Sequence, residues 1–333
     1  MGWGRSSSVR RSDNKYANHV GQVRSNAHLL SYPNLYKISS RNPRLLSQLP
    51  TPLLSPASYQ LAGRGRGKNI WLSPPGSLLF SVVLRVSLAN FPASKLVFLQ
   101  YLFSLAVAEA CRDETILGPK AGEQVRLKWP NNLYAVVGEG KEDLRKIGGV
   151  LVNTSFFGGK VDIVYCCRYV VTSLIKNGVL LTHVDAGYGL NVLSLPPFTS
   201  LAQLQRGAQE ELSVEKTAAA IMAKFEPMWT VFSQNPGSLA PFMDLCLERW
   251  LYSLLVSPRY FASLWETHLF GRDQLVTLTT TIPHTAVRIV GITHDHGLLR
   301  TTPDRPGRSL EHIDLLPDGN SFDIMAGPTK AKS

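Results

Sequence analysis

The feature that most constrains this chain is the apolar run Leu96–Ala110, LVFLQYLFSLAVAEA. It is shorter than the roughly 20 residues needed to span a bilayer, and it contains Gln100 and Glu109. Leu96, Val97, Leu99, Leu102, Phe103, Ala106, Val107 and Ala110 recur at helical spacing, with Ser94 in position to cap the first turn. The expectation is a buried amphipathic helix around which a folded domain is built.

The surrounding pattern is mixed. Asn42–Leu53 reads as a short helical segment leading into a Pro/Ser turn, Ser58–Ala62 as a strand, and Leu78–Leu88 (LLFSVVLRVSL) as a buried strand. Val125–Trp129, Leu133–Val137 and Gly148–Asn153 read as strands around turns. Two further helices are expected to begin near Ser213 and Ser238. From about Gln274 the chain changes to short β-prone runs, QLVTLTTTI, AVRIVGIT, GLLRT and SFDIM, with turn signals at Asp295–Gly297 and Pro317–Asn320. The expected organisation is an irregular basic arm over 1–40, an α+β domain over 41–272, and a small SH3-like β-barrel domain over 273–328.

Charge is uneven. Residues 1–62 hold eight Lys/Arg against the single acid Asp13, which accounts for most of the net +11. The rest of the chain is only mildly basic, so a nucleic-acid footprint over the whole protein is weakly supported. The basic start reads as a disordered arm before an organelle transit segment, so the expected location is cytoplasmic, with a mitochondrial one as the alternative. The four cysteines, Cys111, Cys166, Cys167 and Cys246, form no C-x-x-C pair and suit a reducing compartment. His294-Asp295-His296 lacks a further ligand at suitable spacing and reads as a solvated turn; no metal site is assigned.

Four motifs carry chemistry. Gly63-Arg64-Gly65-Arg66-Gly67 is a loop whose backbone can approach an anion closely, with two guanidinium forks suited to phosphate. Alone it favours an RNA contact or a flexible loop. Lys128-Trp129-Pro130-Asn131-Asn132-Leu133-Tyr134 is a rare string. Arg145-Lys146-Ile147-Gly148-Gly149-Val150 places Lys146 on a strand after a turn, where by itself it reads as a surface lysine. Gly187-Tyr188-Gly189-Leu190-Asn191-Val192 combines small residues that leave room for a ligand with an amide.

In this order, and with Gln60 before the loop and Trp71 and Ser73-Pro74-Pro75-Gly76 after it, these motifs resemble those of biotin protein ligases, in particular the fungal type. The resemblance covers most of residues 42–327. It implies a catalytic domain related to class II tRNA synthetases and formation of biotinyl-5′-AMP from biotin and ATP, with Mg²⁺. Biotin then passes to a lysine of the biotin carboxyl carrier domains of biotin-dependent carboxylases. Carried over residue by residue, Lys146, Arg64 and Arg66 are catalytic. Gln60, Gly63, Arg64 and Lys146 bind biotin; Arg66, Trp71, Asn131, Asn132 and Asn191 bind ATP.

The sequence departs from the family in three ways. Asn132 stands where the family has aspartate. The Ser-Thr-x-Thr string that bonds biotin in the family is expected near Asn34–Lys37, which reads Asn-Leu-Tyr-Lys. Two stretches, Tyr165–Ala186 and Leu254–Gly271, are additions, the first of them patterned as a hairpin turning at Asn177-Gly178. These departures leave open a second reading, a family member that binds without catalysing.

Overall fold

The computed structural model describes residues 28–29, 52–57, 63–64, 70–71, 74–87, 89, 91–130, 132–137, 144–150, 152–157, 160–165, 174–176, 179–181, 188–205, 211–251, 275–278, 284–304 and 311–315. Strands are β1 (His28–Leu29), β2 (Leu53–Ala57), β3 (Gly63–Arg64), β4 (Ile70–Trp71), β5 (Ser77–Ser87), β6 (Val125–Lys128), β7 (Asn132–Val136), β8 (Leu144–Val150), β9 (Asn153–Phe157), β10 (Lys160–Tyr165), β11 (Leu174–Lys176), β12 (Val179–Leu181), β13 (Tyr188–Asn191), β14 (Leu275–Leu278), β15 (Thr285–Ile292), β16 (Leu299–Pro303) and β17 (Ile313–Leu315). Helices are α1 (Leu99–Cys111), α2 (Gly118–Gly122), α3 (Leu201–Leu204), α4 (Val214–Gln234) and α5 (Met243–Glu248). The fold is α+β, as expected.

The long apolar run forms α1, and it is not amphipathic. Eleven of its thirteen residues are buried; only Gln100 and Glu109 reach partway to solvent. Nor does Ser94 cap it. The chain enters through a 3-10 turn, Ala93–Phe98, in which Lys95 N–H donates to the Pro92 carbonyl and no side chain caps. By contrast Ser213 does start α4: its hydroxyl accepts from the Lys216 N–H at 3.0 Å.

One mixed sheet of nine strands carries α1 and α4 on one face. Its main path runs β1-β2-β5-β13-β8-β7-β6. All pairs are antiparallel except β1 with β2. The central strand β5 explains the layout. Its first half pairs β13 and its second half pairs β10, so the sheet forks near Ser81, while β2 takes the other edge. Leu78, Phe80, Val82 and Leu84 point into the helical layer. There Phe80 meets Phe103 at 5.8 Å between ring centroids, and Phe103 meets Phe225 at 5.0 Å, both tilted as aromatic pairs prefer.

Several boundaries differ from the sequence reading. The Pro/Ser stretch expected to turn is strand β2, in which Pro56 pairs opposite Phe80. Pro56 lies beyond the two residues that β1 pairs, Leu53 and Leu54, so its missing N–H breaks no described ladder bond. The strand expected at Gly148–Asn153 is β8, which starts earlier and ends at Val150. The helix expected from Ser238 is only a 3-10 turn, Ala240–Phe242, followed by the short α5. β11 and β12 pair with Lys176 opposite Val179, as a turn at Asn177-Gly178 requires. The segments expected at 42–51, 58–62 and 321–325 lie outside the described residues.

The last four strands form a separate antiparallel sheet in the order β14-β15-β16-β17. The turn between β15 and β16 docks on the larger domain. The Gly297 carbonyl accepts from both Tyr101 Oη and Trp129 Nε1, at 2.5 and 3.1 Å. Lys95 Nζ adds bonds to the His294 carbonyl and the Asp295 carboxylate at 3.2 and 3.4 Å. Gly297 has φ +64°, and an added Cβ would sit 3.2 Å from Phe98 and Tyr101.

The edge strand β6 is braced by charge. Leu127 N–H donates to the Arg249 carbonyl at 2.9 Å, and Arg126, buried to 5 % exposure, donates to Glu123 at 2.7 Å and to the Glu248 carbonyl at 2.9 Å. Arg112 also bonds Glu123, and Arg249 bonds Glu109. Burial alone would raise the Glu123 carboxyl, but the Arg112 hydrogen bond and the charges of Arg112, Arg126 and Arg249 hold it below its ordinary value of 4.5.

Two outcomes are expected. Phe103→Ala empties the centre of the aromatic stack and costs about 3–5 kcal/mol, read from urea unfolding. Glu123, depressed in the folded state, contributes stability that is fully present above its ordinary value of 4.5 and is lost as pH falls through the lower folded value. Melting temperatures measured between mild and strong acid should therefore show wild type more stable than Glu123→Gln at pH 6, with the gap closing at the acid end.

Candidate functional site

The site follows from sheet register. Cross-strand partners share a face of the sheet. One row of partners is Leu78, Leu190, Gly148, Leu133 and Leu127, from β5, β13, β8, β7 and β6. All five are buried, and the four leucines belong to the main core. The adjacent row faces the other way: Ala57, Leu79, Gly189, Gly149, Asn132 and Lys128. Two glycines side by side leave a floor with no side chains in the middle of this row. Leu79 closes one end, and Asn132 and Lys128 stand at the other.

Gly148 shows how tightly the floor is built. A Cβ there would meet the Gly189 carbonyl oxygen at 2.6 Å, so β8 and β13 approach as closely as they do only because this position is glycine.

Lys146 reaches the same face by a defect in the ladder. Gly148 pairs Leu133, but the next pair is Lys146 with Tyr134, so Ile147 is an extra residue. Strict alternation would put Lys146 on the core face with Gly148. The bulge leaves Ile147 fully buried and turns Lys146 outward, exposed and opposite Tyr134. Tyr134 in turn lies under a second cation: Lys128 Nζ sits 5.4 Å from its ring centroid. One face thus carries Lys146, Tyr134, Lys128 and Asn132 beside the glycine floor, an arrangement that can receive an anion next to a flat group.

Asn191 is placed differently. It is 4 % exposed and at the base of the loop that follows β13. Its amide donates to the Thr199 carbonyl at 3.1 Å and accepts from Ser77 Oγ at 3.3 Å. Ser200 Oγ and Gln203 Nε2 then both bond the Ser194 carbonyl. In this structure the amide fastens the loop 192–200 to β5. Gly63 pairs Trp71 and Arg64 pairs Ile70 in the β3–β4 ribbon, so the two ends of the arginine-glycine loop meet. Gln60, Arg66, Asn131 and the segment Asn34–Lys37 lie outside the described residues.

Sequence reading placed Lys128 and Tyr134 at the two ends of one motif but gave neither a role, because only the register brings their side chains together. It also missed Ser77 and Thr199, whose link to Asn191 is tertiary. The residues described on this face, Lys128, Asn132, Tyr134 and Lys146, include no carboxylate, the ligand a magnesium ion prefers. They therefore do not fit a protein-held magnesium. Cys111 and Cys246 are buried and free, and burial pushes each thiol up to about 12, which removes them as nucleophiles.

Comparison with known proteins places this geometry. The chain is 29% identical over 297 residues to the biotin–protein ligase of Schizosaccharomyces pombe, covering 86% of this chain and 40% of that protein. It is 37% identical over 270 residues to the human biotin–protein ligase, covering 81% of this chain and 30% of the human one. It thus spans less than half the length of either relative. In three dimensions it is similar to the biotin protein ligase from Aquifex aeolicus solved in complex with biotin and ATP, with TM-score 0.50, 18% identity, and coverage of 84% of this chain and 92% of that one. That likeness is one of fold. Residues 36–169 match the biotin/lipoate A/B protein ligase family.

Proposed function

We propose that this chain is an ATP-dependent biotin–protein ligase. The observation that carries the reading is the bulge in β8 that turns Lys146 onto the glycine floor beside Asn132. In the first half-reaction a biotin carboxylate oxygen attacks the α-phosphorus of ATP, and pyrophosphate departs. The two reactants are both anions, so an ammonium fixed between them lowers the barrier without having to reorganise. Lys146 has that role. By the motifs they belong to, Arg64 and Arg66 are assigned to the phosphates, Gln60 and Gly63 to biotin, and Trp71, Asn131 and Asn132 to the nucleotide. Asn191 acts through the loop it anchors. Any magnesium in this reading would be held by the ATP phosphates and not by Lys128, Asn132, Tyr134 or Lys146. In the second half-reaction the ε-amine of a carrier-domain lysine attacks the acyl carbon, and AMP leaves. The acceptors in this reading are the biotin carboxyl carrier domains of carboxylases, met in the cytoplasm. The four-stranded C-terminal sheet is read as an SH3-like barrel.

The test is pyrophosphate release with biotin and ATP, followed by label transfer to a carrier domain. Lys146→Ala should lower the rate of adenylate formation by about 100-fold while the protein stays folded. A rate equal to wild type would remove Lys146 from the mechanism. Asn132→Asp restores a negative charge beside Lys146 in the same shape. It should raise kcat for adenylate formation by about tenfold at saturating biotin, read by pyrophosphate exchange. Equal rates in two biotin-binding proteins would show that the charge is not needed here.

A further inference from the structure

We propose that Ser77 is a positioning residue of the reaction: through Asn191 and Ser194 it fixes the root of the β3–β4 ribbon, and so sets where Arg64 and Trp71 stand. This rests on the ligase reading, in which Arg64 is assigned to the phosphates and Trp71 to the nucleotide. The starting point is topological. Among the described residues, β3 and β4 pair with each other and with no strand of the nine-stranded sheet. A ribbon without ladder bonds to the sheet takes its position from the chain at its roots. On the β5 side that root is the turn Pro74–Ser77, closed by the Ser77 N–H donating to the Pro74 carbonyl at 3.2 Å. Ser77 pairs Asn191 two residues beyond the Leu79–Gly189 pair, so this root lies on the face of the glycine floor, one step past its row.

The turn is clamped to the loop 192–200 twice. The Leu193 N–H donates to the Gly76 carbonyl at 2.9 Å. Gly76 has φ +81°, and a Cβ there would sit 2.8 Å from the Leu193 carbonyl carbon and Cβ, so this approach requires glycine. The second clamp is a chain of side chains, all buried: Ser77, Asn191 and Ser194. Its direction follows by elimination. The Thr199 carbonyl can only accept, so the Asn191 Nδ2 faces it and Oδ1 faces Ser77. Oδ1 also only accepts, so the Ser77 hydroxyl proton goes to it at 3.3 Å. Ser77 Oγ is then the acceptor for the Ser194 hydroxyl at 3.4 Å. The chain leaves the loop at Ser194 and returns to it at Thr199, with Ser77 as the link to β5. The loop is itself fixed: the Ser194 carbonyl accepts from Ser200 Oγ and Gln203 Nε2, and the Ala202 N–H donates to the Val192 carbonyl at 2.9 Å. Removing the Ser77 hydroxyl leaves a buried acceptor on Asn191 and a buried donor on Ser194 unmatched. The Leu193–Gly76 bond remains, so the turn loosens while the strand keeps its register.

The experiment uses the full chain and two readouts. Tryptic cleavage after Arg64 and Arg66, followed by mass, reads the ribbon without turnover. Pyrophosphate release with biotin and ATP reads the reaction. Ser77→Ala should speed cleavage at these two sites and leave cleavage elsewhere unchanged. It should lower kcat/KM for ATP by about tenfold. Ser194→Ala removes the same link from the loop side and keeps the Ser194 carbonyl; it should move both readouts in the same direction by less. Where Ser77→Ala does not fold, Ser194→Ala carries the same tests. Because Ser77 acts through the ribbon, Ser77→Ala added to Arg64→Ala should cost a further factor of no more than about three, whereas a merely structural loss adds in full.

Cleavage after Arg64 and Arg66 at the wild-type rate in Ser77→Ala overturns the proposal, and so does the full loss on top of Arg64→Ala. The ligase reading fails separately: a wild type that releases no pyrophosphate from biotin and ATP, yet has its ribbon loosened by Ser77→Ala, keeps the clamp and discards the ligase. If the wild type makes adenylate and Ser77→Ala matches it in both readouts, the ligase stands and this inference does not.

Discussion

The whole structure depends on burying one helix. α1 offers no polar face, so it is stable only when enclosed on every side. Strand β5 and its neighbours cover it from below, and α4 covers it through the Phe103–Phe225 contact. Such a helix consumes one entire face of the sheet. The apolar alternation of β5, β7, β8 and β13 is committed to it, and whatever the protein does with a ligand must be done on the other face. The placement of the site is in this sense a consequence of core packing.

On that other face, chemistry comes from departures from regular sheet. Two glycines in one lateral row remove side chains where a β-sheet ordinarily has them. A bulge at Ile147 then places a lysine where alternation forbids one. The two devices are linked, because the bulge and the glycines occupy the same stretch of β8. A short segment, Lys146 to Gly149, thus sets both the cation and the floor beside it. The arginine–glutamate brace at β6 holds the next strand out, so the lysine at its end keeps its register.

Much of this was legible in the sequence, and the reasons for what was not are specific. The motif order located the strands of the site, and Ser213 and Asn177-Gly178 announced a helix start and a hairpin because their signals are local. β2 was hidden by Pro56, which reads as a turn unless one knows that, among the described residues, the strand is paired on only one side at that point. Lys146 was recognisable as a motif residue, but its direction was not, since a bulge has no mark in a single sequence and reverses the face. Asn191 sits in a recognisable string, yet its bonds reach Ser77 and Thr199, one of them 114 positions away. Lys128 and Tyr134 meet across a register that only pairing reveals.

The turn between β15 and β16 has a consequence for the integrity of the larger domain. The Gly297 carbonyl fills the acceptor needs of two buried side chains, Tyr101 from the core helix and Trp129 from the strand end that leads into the site. Those donors are desolvated where they stand, and the turn approaches so closely that a Cβ at Gly297 would press on Phe98 and Tyr101. The small sheet is therefore a structural member of the larger domain. Its turn works as a keystone, and a helical layer deprived of it would be left with two buried donors stripped of the acceptor they share, a defect whose cost is borne at the very residue before Pro130 and the asparagines.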